Sequence, residues 1–514
     1  MTAHRTNLCN TVRITIQNIG TFSLSKGESV LSVLKDQGLL SFSHCGGNGT
    51  CGRCVVQFTK GAPLPQPGDR RRFTGQELRE GWRLACLARP VTDATLKFQP
   101  PKEKMTVVTE NAFRYGNTGD TENGEKELHA LCNEMSEAGK DTLVIIDLGT
   151  TTVVMQLIEA GSGRVIDTCR MLNPQRQFGA DVISRMEKAM AGESAALTAC
   201  IGSCLKNGMK KWLEAGFAPK LAVLAGNTVM IHLLLGQDVT NLAKAPFQPV
   251  TTAQQIWRNR EVTTVIIPGI SAFVGGDIMA GILACQEDMH REGIETALLV
   301  DLGTNGEMAL LHQGKILCTA TAAGPAFEGG VTANVPGADL IRIVAGLLRS
   351  GVVDETGLIL REEMREGMSV DDVMIRQDDI RNLQMAKAAV FAGICVLLME
   401  SGLAADALQR VYLAGGFGYY LDVDAACAVG VLPMAMHDRV RSVGNAALAG
   451  ATLYAESLYE ESICKEMHGE SCARSCLSVR AEQIRQHAQS INLAETQGFH
   501  ERYIDAMYLK PYDV

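Results

Sequence analysis

Nowhere in the 514 residues does a run of apolar side chains approach the length of about eighteen needed to cross a bilayer, and the N-terminus carries no apolar signal core. Neither export nor a membrane span is expected, and the chain reads as cytoplasmic. A basic surplus is also missing: 48 Lys and Arg stand against 57 Asp and Glu, a formal net charge of −9. With so little positive charge to neutralise phosphates, nucleic acid is not expected as the main partner. What remains is an ordinary composition, 46% hydrophobic and 20% charged, with material for about two to four domains.

Cysteine, by contrast, is abundant at 16 residues. Most stand singly in apolar runs, as Cys395 does in Gly-Ile-Cys-Val-Leu, and read as buried thiols of a reducing compartment. One loop differs: His44-Cys45-Gly-Gly-Asn-Gly-Thr-Cys51-Gly-Arg-Cys54, with spacing C-x5-C-x2-C, followed after 31 residues by Cys86. Its glycines can take positive φ and wrap the backbone round something small. Four thiolates, three on a glycine loop and one from further along, are how ferredoxins hold a [2Fe–2S] cluster. Zinc would more usually show two C-x2-C pairs, and disulfides would suit a secreted chain, which this does not resemble.

Around that loop the order is strand (Thr11 to Gln17), strand (Thr21 to Ser25), a helix opened near Ser29, the cysteine loop, a strand from Val55, a short helix with a capping box at Thr74 and Glu77, Cys86, and a strand at Leu96. This order resembles the β-grasp fold of [2Fe–2S] ferredoxins. The first gap, five residues where the plant type has four, is nearer to the adrenodoxin-like variety. Residues 1–100 are therefore expected to form a ferredoxin-like domain. Residues 101–140 open on Pro100-Pro101 and turn polar, charged and glycine-containing, and they read as a linker, helical near 128–135.

The rest announces itself by a repeat. Leu143-Val-Ile-Ile-Asp147-Leu-Gly149-Thr150-Thr151-Thr-Val is matched 154 residues later by Leu298-Leu-Val-Asp301-Leu-Gly303-Thr304-Asn305-Gly-Glu307. Each copy reads as an apolar strand, a turn and a second strand. An Asp at a strand end can hold a hydrated Mg²⁺, and the Gly-Thr turn offers N–H groups and hydroxyls to phosphate oxygens. The pattern resembles the actin, Hsp70 and sugar-kinase superfamily, with its two phosphate loops. Val411-Tyr-Leu-Ala-Gly415-Gly416-Phe-Gly matches that superfamily's adenosine motif. The resemblance implies a duplicated, ribonuclease H-like ATPase, with a first half over 141–270, a second over 271–460, and a tail over 461–514 packing on it. The chain as a whole is then an α/β and α+β multidomain protein.

For the catalytic carboxylate the resemblance points to Asp277, opening a helix after Phe273-Val-Gly-Gly. A plain helix N-cap is its equal alternative, and Glu307 is the reserve. Asn173-Pro-Gln through Gly179-Ala-Asp181 is a second unusual segment. Cys464, Cys472 and Cys476, with His468 among them, read as ordinary tail thiols, Cys472 and Cys476 sharing a helix face if that stretch is helical.

A ferredoxin-like domain joined to such an ATPase resembles one family closely, the reductive activators of corrinoid proteins. The resemblance covers nearly the whole chain, including 173–181, Ala225-Gly-Asn-Thr, Ala323-Gly-Pro-Ala-Phe-Glu and Gln377-Asp-Asp-Ile-Arg. It implies ATP-dependent return of a corrinoid protein of a methyltransferase system from Co(II) to Co(I), with a [2Fe–2S] cluster, ATP and Mg²⁺, an electron donor that the sequence does not name, and a possible homodimer. Two alternatives stay open: an ATP-dependent donor to another low-potential enzyme, or a small-molecule kinase with a redox-sensing ferredoxin domain.

Overall fold

The alternation in Thr11–Ile16 (β1) buries Val12, Ile14 and Ile16 on one face. A turn through Asn18, at φ 64°, returns the chain as β2 (Gly20–Ser25), paired antiparallel. With β3 (Val55–Lys60), β4 (Trp82–Leu84) and β5 (Ala94–Phe98) the sheet order is β2-β1-β5-β3-β4, where β1 and β5 run parallel and every other pair antiparallel. The helix Val30–Asp36 adds Val30, Leu31, Val33 and Leu34 to this core. Each such aliphatic side chain contributes about 1.5–3 kcal/mol by leaving water. Ser29 holds the N-cap position but makes no side-chain cap bond. Thr74 does: its hydroxyl accepts from Glu77 N at 3.2 Å while Glu77 Oε2 accepts from Thr74 N at 2.7 Å.

In this computed structural model the described residues are 11–39, 47, 49, 52, 54–98, 108–109, 112–113, 132–136, 138–303, 305–324, 337–362, 367–370, 373–468 and 476–513. The chain divides into two compact units. The smaller comprises 1–105 with 176–185 and 331–333, and the larger comprises 106–175, 186–330 and 334–514.

The larger unit holds the same design twice. β6 (Thr142–Leu148), β7 (Thr152–Glu159) and β8 (Val165–Leu172) run antiparallel in succession. β9 (Leu221–Gly226) then joins β6 in parallel, β10 (Gln255–Arg258) forms the edge, and β11 (Thr263–Ile266) lies between them. The second sheet repeats the meander with β12 (Thr296–Leu302), β13 (Gly306–His312) and β14 (Lys315–Thr321). A small ribbon, β15 (Met368–Val370) and β16 (Val373–Ile375), precedes β17 (Arg410–Ala414) and β18 (Val440–Gly444), both parallel to β12. β19 (Gln489–Ser490), from the tail, closes the edge beside β14. The central strands are buried along nearly their whole length, so they read as continuous apolar runs.

Two helices, Gly276–Glu292 and Ala446–His468, meet at the heart of this unit. Their backbones approach so closely that a Cβ on Gly450 would lie 1.8 Å from Ala280 O. The helix Gln377–Ser401 is long and apolar enough to cross a membrane by length and composition, yet 83% of its most apolar window is buried in the protein.

Part of the stretch expected as linker is packed. Phe113 is only 2% exposed and sits against Tyr412, with ring centroids 5.8 Å apart, and residues from Thr106 onward belong to the larger unit. A single aromatic residue in a polar run buries enough surface to hold its neighbours, and no periodicity announces it. In the tail, Cys476 is the N-cap of the helix Leu477–His487, and Cys472 lies outside the described residues.

Candidate active site

The cleft is built where the first strand of each meander ends. Asp147 closes β6 and Asp301 closes β12, the carboxyl ends of strands being where α/β sheets present their ligand-binding groups. The turns that follow differ. Gly149 N donates to Thr152 O at 3.0 Å, whereas Gly303 N donates to Asn305 O at 3.0 Å, one residue sooner. The registers follow: Asp147 lies opposite Val154, and Asp301 lies opposite Glu307. Directly opposed residues share a face, so the tighter turn gives the second copy an extra carboxylate.

Asp277 completes the set. It is not the N-cap. Gly275 is the cap and Gly276 the first helical residue, which leaves Asp277 in the first turn, where Ile278 N donates to its Oδ1 at 2.9 Å. The cause is steric. A Cβ at Gly275 would stand 2.6 Å from Gly226 O, and one at Gly276 2.6 Å from Ile267 O, so only glycine fits where the chain turns in.

Burial and crowding act together on these groups. Desolvation lifts Asp147 to about 6, opposed by a hydrogen bond from Asn445. Desolvation first, and the neighbouring Asp147 carboxylate after it, raise Asp277 to about 7. Asp301 reaches about 7 through desolvation and the charges of Asp277 and Asp147. Glu307, buried beside Asp277 and Asp301, is pushed well above the usual carboxylate range, although Asn305 Nδ2 donates to it at 3.2 Å. At neutral pH the four carboxylates therefore share protons, an arrangement that a cation would relieve. Among the described residues no three acidic, imidazole or thiol groups are set to ligate one ion directly.

The remaining expected residues fall as follows. Gly149, Thr150 and Thr151 form the first turn, and Gly303 and Asn305 flank Thr304, which lies outside the described residues. Gly415, at φ +83°, ends β17 beside the same cleft: a Cβ there would lie 2.5 Å from Asp301 Oδ1. Gly416 has open space around it, as a backbone that receives a ligand requires.

Two asparagines escaped the sequence reading. Asn173 is buried and holds the first turn: its Nδ2 donates to Gly149 O at 2.8 Å, its Oδ1 accepts from Gln175 N, and its own N–H donates to Thr151 O. Asn445 Nδ2 donates to Asp147 Oδ2 at 2.8 Å, from the second half of the unit to the first. A signal for Asn173 was present, since it opens the segment 173–181 singled out above. Asn227 of the Ala-Gly-Asn-Thr segment has a local task, capping the helix Thr228–Leu235.

In the smaller unit Cys54 and Cys86 are both buried, and Cys86 N donates to Cys54 Sγ at 3.5 Å. Such N–H···S bonds suit a thiolate bound to iron. Gly49, at φ +72°, packs under Leu87, and Arg72 Nε donates to Gly52 O. Cys45 and Cys51 lie outside the described residues.

Comparison with known proteins covers both units. Residues 143–292 match the profile described as the RACo middle region, and residues 295–334 and 332–514 match the C-terminal domain of RACo, the ASKHA domain. Residues 14–91 match the 2Fe-2S iron-sulfur cluster binding domain. The chain belongs to the RACo family. A RACo-type chain thus pairs a [2Fe–2S] domain with an ATP-binding ASKHA domain, and the mixed sheets described above are its fold. Among relatives, the corrinoid activation enzyme RamQ of Eubacterium limosum is 30% identical over 393 residues, 62% of this chain and 65% of its own length. The chain therefore spans just under two thirds of that relative. The [Co(II) methylated amine-specific corrinoid protein] reductase of Methanosarcina barkeri is 23% identical over 374 residues, 60% of this chain and 68% of its own. A solved reductive activator for corrinoid,iron-sulfur protein shares the fold over 97% of this chain and 98% of its own, at 23% identity and a TM-score of 0.60.

Proposed function

We propose that this RACo-family chain uses ATP to return a corrinoid protein of a methyltransferase system from Co(II) to Co(I), working in the cytoplasm with a separate electron donor. The observation that carries the reading is the pairing of a four-carboxylate cleft, Glu307 buried and the three aspartates half-buried, with a cysteine-loop β-grasp domain on one chain. A [2Fe–2S] cluster on Cys45, Cys51, Cys54 and Cys86 supplies one-electron chemistry when bound. The names of the relatives support the corrinoid substrate.

Within the cleft the chain's own residues divide the work. Asp147 and Asp301 would hold a hydrated cation from the two halves, and the turns at 149–151 and 303–305 would offer N–H groups and hydroxyls to phosphate oxygens. Asp277, with a pKa near 7, is suited to take a proton at its carboxylate from the attacking water. Glu307, whose carboxyl burial pushes well above the usual carboxylate range, lines the cleft opposite Asp301. Gly415 and Gly416 lay their backbone against the nucleoside. Because each half supplies one of the two phosphate turns, nucleotide favours the closed arrangement, which gives the two-state element a driven electron transfer needs.

The test is a visible spectrum of an anaerobic mixture: this protein, a corrinoid protein poised as Co(II), and a reductant too weak to reduce the cobalt alone. The Co(I) band should grow only with Mg-ATP and should be absent with Cys86→Ala. No Co(I) with any corrinoid client, under any nucleotide, sinks the reading.

A further inference from the structure

The helix Gly276–Glu292, which brings Asp277 to the cleft, carries a second acid far from it. Asp288 is only 1% exposed. Its Oδ2 accepts from the Tyr412 hydroxyl at 2.9 Å and from Arg441 Nη1 at 2.8 Å, and its Oδ1 accepts from Arg291 Nη2 at 3.2 Å. Arg291 belongs to the same helix, whereas Tyr412 and Arg441 stand side by side on β17 and β18. The packing around these bonds is apolar, with Ile278, Ile282, Leu299 and Ala414 in one core cluster. Apolar contact has no direction and lets a helix slide or turn on its sheet; hydrogen bonds from two strands to one carboxylate do not.

The register shows what those bonds hold in place. Eleven residues separate Asp277 from Asp288, about three turns of helix, so the two acids lie on the same face. On the sheet, Tyr412 is opposite Leu299, and Ala414 is opposite Asp301. Residues two apart on a strand share a face, so Tyr412, Leu299 and Asp301 project to the same side. The helix therefore meets this side twice, through Asp277 near the Asp301 charge in the cleft and through Asp288 at Tyr412 behind it. A rotation or slide that displaced Asp277 would break the bonds at Asp288.

We propose that Asp288, gripped by Tyr412 and Arg441, is the positioning residue for Asp277, fixing the rotation and depth of the helix and so the place of the Asp277 carboxylate against the attacking water. Tyr412 lies three residues before Gly415 on the same strand, so one bond also ties the helix to the strand that leads to the paired glycines. The inference rests on the reading of Asp277 as the group that takes a proton from water.

The experiment is a double-mutant cycle on ATP hydrolysis in the full-length chain, with thermal melting followed on the same samples. Tyr412→Phe keeps the ring that packs on Phe113 and loses only the hydroxyl. It should lower kcat about tenfold with the KM for ATP unchanged, since a misplacement of about 1 Å costs about a hundredfold. Asp288→Asn keeps the shape of the side chain and should act in the same direction. Ile282→Val, buried on the same helix, should lower the melting point and leave kcat as it is. The double variant Asp277→Asn with Tyr412→Phe should be no slower than Asp277→Asn alone, because displacing an acid that is already gone has no further effect. Effects that multiply in the double variant overturn the inference, as does a wild-type kcat in Tyr412→Phe or an equal loss in Ile282→Val. A wild-type rate in Asp277→Asn removes the reading of Asp277 itself, and this inference with it.

Discussion

The two copies of the Asp-Leu-Gly-Thr hairpin are nearly the same in sequence and not the same in register. In the first, the turn bond runs from Gly149 to Thr152 and an apolar residue, Val154, faces Asp147. In the second it runs from Gly303 to Asn305, and Glu307 faces Asp301. Tightening a hairpin by one residue changes which side chain stands opposite its neighbour. The first copy is instead braced from outside, by Asn173 on its turn and Asn445 on its carboxylate. A duplicated element has been specialised into one jaw that is held and one that carries an added acid.

If the jaws are equal partners in holding the cation, Asp147→Asn and Asp301→Asn should each lower kcat for ATP hydrolysis about a hundredfold or more, and Asp277→Asn should do at least as much. Steady-state rates check this, and a tenfold inequality between Asp147→Asn and Asp301→Asn would mean that one copy carries the cation alone. Next in size is the contact that keeps the jaws facing. Gly450→Ala places a Cβ against the Ala280 carbonyl and should destabilise the chain by about 3 kcal/mol, read in a denaturant melt. An unchanged midpoint would show the two helices free to separate.

Glu307→Val makes the second hairpin like the first, which has Val153 at the corresponding place in the repeat. It should lower kcat about tenfold with little loss of stability, since it removes a buried group of strongly raised pKa. Asn173→Ala leaves Gly149 O and Gln175 N without their partner and should cost about 1–2 kcal/mol while raising the KM for ATP more than it lowers kcat. A kcat effect alone would place Asn173 in the chemistry instead.

The last comparison is one of pH. Asp147, Asp277 and Asp301 have folded-state values of about 6, 7 and 7, all above the unfolded carboxylate value. Groups raised in this way favour the fold below the unfolded value, and that contribution is lost as pH rises through the folded value. The nucleotide-free protein should therefore lose thermal stability between about pH 4 and 7, and Mg-ATP should flatten the decline. A midpoint that climbs over that interval would contradict the crowding of the carboxylates.

Much of this was legible in the chain. The Asp-Leu-Gly-Thr turns and the cysteine loop could be found because glycine at a required φ, and acid or thiol at a strand end or loop, leave a mark in adjacent residues. The Asp277 helix start was misplaced by two residues because a Gly-Gly pair looks like free chain, and only the carbonyls of Gly226 and Ile267 make it obligatory. The packing of Val108 and Phe113 was hidden because the apolar residues from Met105 to Phe113 keep neither a period of two nor one of 3.6.

The sequence by itself determined the parts: a cysteine loop, a doubled Asp-Leu-Gly-Thr hairpin and a strand ending in paired glycines, each a matter of local backbone geometry and neighbouring side chains. Tertiary structure alone decided the one-residue difference in register that adds Glu307, the gathering of four carboxylates whose burial and mutual repulsion lift their pKa values, and the union of residues 147 and 445 through one amide. Those depend on distances between segments far apart in the chain, and such distances exist only once the core has closed.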